Sequence, residues 1–337
     1  MDKILTVVIP VYNTEQYLRK CFDSLIIKEI DKLEIVVIID GSPDRSMEIA
    51  KKYMNKYPQT FSIINKENGG HGSCCNIGLK VAKGKYIRFL DSDDWFDKID
   101  FPTFLDLLST IDVDLIQCNR VLELTYQNVT VKESLYEKVS GKIWNAKSFP
   151  YNVLEYPNLI HNSTFKTEKL RQSGIQFTEK MSFDDTALYI LPYKTIKTIY
   201  CSNLHVYHYL IGREGQSVSG VNLRKMKYRE HEFCKLGDDY LSIRDSISDI
   251  QRKYFDGFIN NVIYPEFFKY TFYLQKHDAR LMLNRFIASI RTMPFITKRN
   301  IVLTNILSNL PFAISRIIAI NYYKVNKKLL KVRRMNA

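Results

Sequence analysis

Tyr86-Ile87-Arg88-Phe89-Leu90-Asp91-Ser92-Asp93-Asp94-Trp95 is the stretch whose reading decides the fold. An apolar run ends in three carboxylates within four residues. Like charges so close repel one another, and folding alone rarely asks for them. A divalent cation bound among them would relieve the repulsion. The end of a strand is also where open α/β sheets place their ligands. The stretch therefore predicts a strand that opens onto a metal-assisted site for a phosphorylated substrate.

Upstream, the same grammar repeats. Leu5 to Ile9 reads as a buried strand closed by Pro10, and Thr14 with Glu15 opens a helix whose apolar face is Leu18, Cys21, Phe22 and Leu25. Leu33 to Ile39 is a second apolar strand, followed by the turn-rich Asp40-Gly41-Ser42-Pro43-Asp44 and a helix capped by Ser46. Phe61 to Ile64 is a third strand. It leads through Asn68-Gly69-Gly70-His71-Gly72-Ser73 into a helix from Ser73 to about Ala82. Strand, helix, strand, helix predicts an α/β fold with a mainly parallel sheet, flanked by helices and joined by right-handed crossovers. Continuous apolar runs fit strands buried on both faces. The polar loops all follow strands, so they converge on one edge.

Further along, Leu115 to Tyr126 and Val129 to Leu135 read as strands, and Asp184 to Leu191 as a short helix stopped by Pro192. Beyond about Val221 the pattern is helical and rich in Tyr and Phe. Two regions are expected, 1–220 and 221–337, with a soft boundary near Gly220.

The chain has 337 residues, 45% hydrophobic and 25% charged, an ordinary globular balance. Its net charge of +13 is unevenly placed. No acidic residue follows Asp278, while twelve Lys and Arg do. Six cysteines without a C-x-x-C pair read as reduced, buried thiols. Met1-Asp2-Lys3 runs straight into a short apolar segment, so no secretory signal is read, and no stretch is clean enough for a membrane span.

Four motifs in order now resemble the family 2 glycosyltransferases. They are Val8-Ile9-Pro10-Val11-Tyr12-Asn13, Asp40 to Ser46, Asn68-Gly69-Gly70 to Gly78, and Asp91-Ser92-Asp93-Asp94. The resemblance covers about the first hundred residues. It implies a GT-A fold, a nucleotide-diphosphate sugar donor (a UDP-sugar is expected), Mn2+ or Mg2+, and inversion at the anomeric carbon. It further implies that Asp93 ligates the metal, with Asp91 near metal and ribose and Ser92 beside the donor. Pro10, Tyr12, Asn13, Asp40, Gly41 and Ser42 would line the nucleoside pocket, and Asn68 and Gly69 the phosphates or ribose. Asp94 would support the metal ligands or face the acceptor, and Trp95 would wall the acceptor side as an apolar or sugar-stacking surface or else belong to the core. In Met181-Ser182-Phe183-Asp184-Asp185-Thr186, Asp185 matches the general base and Asp184 its orienting partner. Arg213, with Gln216 and Ser217, would hold the pyrophosphate.

Two departures stand out. Ile39 replaces the first Asp of the usual D-D-G-S, and Cys75 replaces an Arg, whose contact to the donor is expected to pass to Arg88 or to a residue of the later loop. His71 reads as an ordinary loop histidine. A nucleotidyltransferase would show a basic glycine-rich signature near the first strand, and Val11-Tyr12-Asn13-Thr14 is not one. A non-catalytic GT-A-like binding module at membranes is the remaining alternative.

At the C-terminus, Ile314, Ile317, Ile318, Tyr322, Val325, Leu329 and Val332 recur at helical spacing, with Arg316, Lys324, Lys327, Lys328, Lys331 and Arg334 mostly opposite. This basic amphipathic helix is expected to lie on an anionic membrane surface, at about 1 kcal/mol per basic residue. The competing reading is a helix packed on the core with a solvated charged face. Nucleic acid is not an expected partner. Together these expectations describe a cytoplasmic enzyme, peripheral on the inner membrane face. It would act on a glycan or polyprenyl-diphosphate-linked acceptor in bacterial surface polysaccharide synthesis.

Overall fold

The computed structural model describes residues 3–154, 156–181, 184–213, 216, 229–272, 274 and 276–335. The chain divides into two compact units, residues 1–149 with 158–213, and residues 150–157 with 214–337.

The first unit is built on one sheet. Strands β1 (Leu5–Val11), β2 (Leu33–Asp40), β3 (Phe61–Lys66) and β4 (Tyr86–Phe89) are linked by helices α1 (Glu15–Asp23), α2 (Ser46–Lys56) and α3 (His71–Val81). After β4 come β5 (Trp95–Phe96), α4 (Asp100–Thr110), β6 (Leu115–Leu124), β7 (Val129–Glu133) and β8 (Ile143–Asn145). Then follow β9 (Ser163–Lys166), α5 (Thr167–Gln172) and the long β10 (Thr198–Ile211). The strand order is β3-β2-β1-β4-β9-β6-β10-β5, with β7 on β6 and β8 on β10. β1 to β4 are parallel, β6 pairs in parallel with β10, and β9 runs antiparallel between the two sets.

β1 and β2 are buried almost throughout, as continuous apolar runs demand. β1 runs through Pro10 to Val11, beyond the expected stop. The reason is geometric: Val8 faces β4, where its carbonyl accepts from Leu90 N–H. Pro10 faces the same side, but β4 has already ended at Phe89, so no ladder acceptor meets the missing N–H.

Two helix starts differ from expectation. Thr14 does not cap α1, and Ser46 is the first residue of α2 rather than its cap. Asp44 serves both helices, accepting Glu15 N–H on Oδ2 (2.8 Å) and Ser46 N–H on Oδ1 (3.1 Å). α3 begins two residues early, at His71, because Gly70 turns at φ 86° and lets the chain wind at once. The expected helix after Met181 is a two-turn 3₁₀ segment, Asp184–Tyr189.

The second unit is helical: α6 (Arg229–Ile243), α7 (Asp249–Phe258), α8 (Tyr264–Thr271), α9 (Lys276–Ile290), α10 (Lys298–Asn309) and α11 (Phe312–Met335). A π-helical turn, Ile259–Ile263, joins α7 to α8. Its core is aromatic, with Phe233, Phe267, Phe268 and Phe286 packed ring on ring. In α11 the buried side is Ser315, Ala319 and Asn326, against α8 and α10. Ile314, Ile317 and Val325 of the expected apolar stripe are exposed, at 47%, 61% and 56%. Leu329, Lys331, Val332 and Arg334 lie outside the described side chains.

α3 lies on β1 so closely that a Cβ on Gly78 would sit 2.2 Å from Cγ1 of Val8. Gly78→Ala should therefore lose about 1–3 kcal/mol of stability, despite the ~1 kcal/mol helix preference for alanine. A urea midpoint that rises instead would show that α3 can back away from β1.

Candidate active site

The carboxyl ends of β1, β2, β3 and β4 lie on one edge of the sheet, so their loops meet there. β9 runs the other way, so the residues before it, including His161, arrive at that edge. β10 is parallel to β6 and ends at the same edge with Tyr207, Tyr209 and then Arg213.

The acidic turn is braced on every side. Asp94 is buried, and both its oxygens are engaged: Leu210 N–H donates to Oδ1 (2.8 Å) and Tyr207 OH to Oδ2 (2.7 Å). Tyr207 OH also accepts Asp91 N–H (3.1 Å). Ser92 Oγ hydrogen-bonds Thr14 Oγ1 (2.9 Å), which ties the turn to the start of α1. Asp94 and Ser92 thus shape the turn. That bracing fits the reading of Asp94 as a support of the acidic turn. Trp95 is half-buried, stacked on His208 (centroids 5.3 Å), with Lys20 Nζ over its ring.

Asp91 and Asp93 differ in their partners. Asp91 lies between two imidazoles, 3.1 Å from His71 Nε2 and 3.5 Å from His161 Nε2. Burial opposes its ionisation, but the hydrogen bonds from His161 and His71 outweigh that and hold the carboxyl well below the usual range. Asp93 ion-pairs with Arg213 Nε, and the guanidinium stands 5.4 Å over the Tyr17 ring. Burial and the Asp91 charge raise Asp93 in spite of Arg213, and burial raises Asp94 further still. This is a cluster short of positive charge. Its ligand atoms are hard oxygens with one imidazole near: Asp91, Asp94 and His161 offer atoms within 4.8 Å of one another. That chemistry suits Mg2+ or Mn2+.

On the nucleoside side, Tyr12 is exposed at 52%, and Asn13 turns at φ 53° with its N–H on Ser42 Oγ (2.8 Å). Gly41, at φ 65°, approaches Asn68 so closely that a Cβ would lie 2.9 Å from its nitrogen. Pro10 is buried within β1 rather than lining a pocket. Asp40 is also buried, and its carboxylate accepts the N–H groups of Gly69 and Gly70 (2.8 Å each) and pairs with Lys66. It organises the glycine-rich loop from beneath. Asn68 joins that loop, donating to Asp40 O (3.0 Å).

On the far side, Asp184 is buried and accepts from His71 Nδ1 (2.7 Å). Asp185 is half-buried, and its charge acts on Tyr209, whose ring stacks on His161 (centroids 4.1 Å). The two acids therefore belong to the same edge as the acidic turn. Gln216 is buried, and Ser217 lies outside the described residues.

Arg88 does not face a donor. It is fully buried, donating to Thr164 Oγ1 (2.8 Å) and to the carbonyl of His161 (2.6 Å), with Phe96, Phe104 and Tyr207 around it. It holds His161 in place instead. His71 is no idle loop residue, since both its nitrogens are bonded to site carboxylates. Nothing local in the sequence points to His161 or Tyr17, or to the partners that Tyr207, Tyr209 and Thr14 find here. His161, Tyr207 and Tyr209 arrive through β9 and β10, whose pairing is non-local and leaves no local pattern.

Residues 6–172 match the model of glycosyl transferase family 2. "Glycosyltransferase GlyA" of Streptococcus pneumoniae is 33% identical over 52% of this chain and 27% of its own length. "Uncharacterized glycosyltransferase YibD" of Escherichia coli is 26% identical over 86% of this chain and 84% of its own. The poly(ribitol-phosphate) β-N-acetylglucosaminyltransferase TarS of Staphylococcus aureus is 29% identical over 64% of this chain and 37% of its own. A crystal structure of TarS residues 1–349 with UDP-GlcNAc superposes with a TM-score of 0.70 at 18% identity, covering 97% of this chain and 92% of that one. The likeness in fold is to a GT-A enzyme, with a mixed, mostly parallel sheet and a helical C-terminal region. The acidic strand end, the glycine-rich loop and the late acid pair sit on one edge of that fold, and the chain belongs to the family 2 glycosyltransferases.

Proposed function

We propose that the chain is a metal-dependent, inverting glycosyltransferase that moves a sugar from a UDP-sugar to a hydroxyl of a cell-surface glycan or its lipid-linked precursor. The observation that carries this reading is the meeting of Asp91, Asp93 and the Asp184–Asp185 pair at one sheet edge, where the loops after β1, β2 and β3 also end. The UDP-sugar is suggested by the TarS complex, and the wall or surface polymer by the same relative.

Tyr12, Asn13 and Ser42 would receive the nucleoside, and the N–H groups at the start of α3 would face its phosphates. Asp93 and Asp91 would hold the divalent ion, which when bound neutralises charge growing on the departing diphosphate. Arg213, already beside Asp93, stands where its guanidinium can turn to that diphosphate. Asp185 would take the proton of the acceptor hydroxyl as its oxygen attacks the anomeric carbon. The bond from that carbon to the diphosphate breaks on the opposite face, so the configuration inverts. Asp184, buried, would keep Asp185 aimed.

The test is nucleoside-diphosphate release from a panel of UDP-sugars, with MnCl2, with EDTA, and in two variants. EDTA and Asp93→Ala should abolish release. Asp185→Asn should lower turnover by about 10²–10⁴-fold while UDP still raises the melting temperature. If no sugar nucleotide shifts the melting temperature in the presence of metal, the transferase reading is wrong.

The same reading places the chain at an anionic membrane through α11. Around this helix the buried side is Ser315, Ala319 and Asn326. Ile314, Ile317 and Val325 form a separate exposed sector, bordered by exposed Arg316, Lys324, Lys327 and Lys328. An apolar stripe flanked by cations, and turned away from its own core, suits the boundary between headgroups and acyl chains. Among the described residues no helix is long and apolar enough to cross a membrane. Vesicles rich in phosphatidylglycerol should pellet the protein at low salt, and the triple variant Ile314→Ser, Ile317→Ser, Val325→Ser should stay in the supernatant. Failure of the unaltered protein to pellet would exclude the surface-docking role.

A further inference from the structure

We propose that His71 is a positioning residue: it clasps Asp91 of the acidic turn to Asp184 of the late acid pair, and so fixes the spacing between the donor side and the acceptor side of the site. This inference rests on the glycosyltransferase reading for its catalytic consequence, though the clasp itself is a matter of geometry.

The ring bonds two carboxylates that lie far apart in sequence. Nδ1 is 2.7 Å from Asp184 Oδ2, and Nε2 is 3.1 Å from Asp91 Oδ1. To meet both at once, the imidazole must lie between them, and a single ring has one length. Two carboxylates facing each other without it would repel. Cys75, one turn further along α3, closes the fourth side, its Sγ 3.7 Å from Nδ1. Its thiol is pushed up to about 11, chiefly by burial, so it adds no competing charge.

The surrounding backbone is built to bring the two loops together here. Gly72 touches the incoming segment so tightly that a Cβ would lie 2.2 Å from Thr178 O and 3.1 Å from Asp184 Cβ. Gly70 meets Lys180 in the same way, and Lys180 N–H donates to Gly69 O (2.8 Å). One turn on, Asn76 clamps Phe177 on both sides, donating to its carbonyl and accepting its N–H (2.9 Å each). The first turns of α3 thus form a seat for Phe177, Thr178, Lys180 and Asp184, and His71 is the point where that seat reaches the chemistry. Asn76 holds the segment, while His71 sets where its acid stands relative to Asp91.

The experiment compares His71→Ala, His71→Gln, Asp184→Asn and the double variant His71→Ala/Asp184→Asn. Three readouts are taken on the full chain: melting temperature, tryptic cleavage after the exposed Lys180, and UDP release from whichever UDP-sugar the unaltered protein uses. His71→Ala should speed cleavage after Lys180 severalfold and lower turnover by about 10–100-fold, with the UDP melting shift in MnCl2 retained. Asp184→Asn should then cost little more in the His71→Ala background, because the two act through one contact. His71→Gln, which can still donate to a carboxylate, should recover part of both effects and serves if the alanine variant does not fold. Unchanged cleavage after Lys180, or losses that simply add in the double variant, would overturn the clasp. If the unaltered protein turns over no donor, the glycosyltransferase reading fails instead, and the cleavage comparison alone decides the clasp.

Discussion

Negative charge at the carboxyl edge of the sheet is the constraint to which the rest of the first unit answers. Asp91, Asp93, Asp94 and Asp184 are drawn into one neighbourhood, and a folded chain tolerates that only if each has its own means of relief. Asp94 is relieved by a buried hydroxyl and a backbone N–H, Asp91 by two imidazoles, Asp184 by one, and Asp93 by a guanidinium. The partners are graded. Those of Asp94 are uncharged and fixed by the strand that carries them, which makes it part of the scaffold. The partner of Asp93 is a cation on the loop after β10, and that pair is ionic rather than a fixed backbone contact.

The sheet explains how so many partners can reach one edge. Parallel β1 to β4 deliver their following loops to it. Antiparallel β9 delivers a residue that precedes it, so His161 meets Asp91 although β9 itself runs away from the site. Arg88, in the middle of β4, points into the core and supports the His161 carbonyl, so a charge that looks functional in the sequence acts one layer below. Asp40 works in the same indirect way on the other flank, holding the glycine-rich loop by two N–H groups. Much of the polar chemistry in this unit serves to aim other polar groups.

That layering also sets what could be read from the sequence. The strand ends, the glycine-rich turn and the acid pair are local patterns, a few residues long, and they announce themselves. Their convergence follows from the alternation of strands and helices alone. What each side chain does there depends on partners remote in sequence: Tyr207 on Asp94, His71 on Asp184, Asp44 on two helix starts. Spacing carries no trace of such pairs, so the bonds that hold Asp94 and Ser92 in the turn are visible only in the fold. In α11 the hydrophobic pattern was visible but its orientation was not, because small and polar Ser315, Ala319 and Asn326 make the inner contact. Periodicity finds a stripe; only the neighbours decide which stripe is covered.

The central claim is that this crowded edge receives a nucleotide diphosphate through a divalent ion. The most direct measurement is anomalous diffraction from crystals soaked with UDP and MnCl2. The account predicts a manganese peak touching Asp93 and the diphosphate, with the nucleoside beside Tyr12 and Asn13 and Arg213 turned from Asp93 toward the phosphates. UDP bound away from the acidic turn, or bound there with Asp93 still paired to Arg213 and no manganese peak, would contradict it.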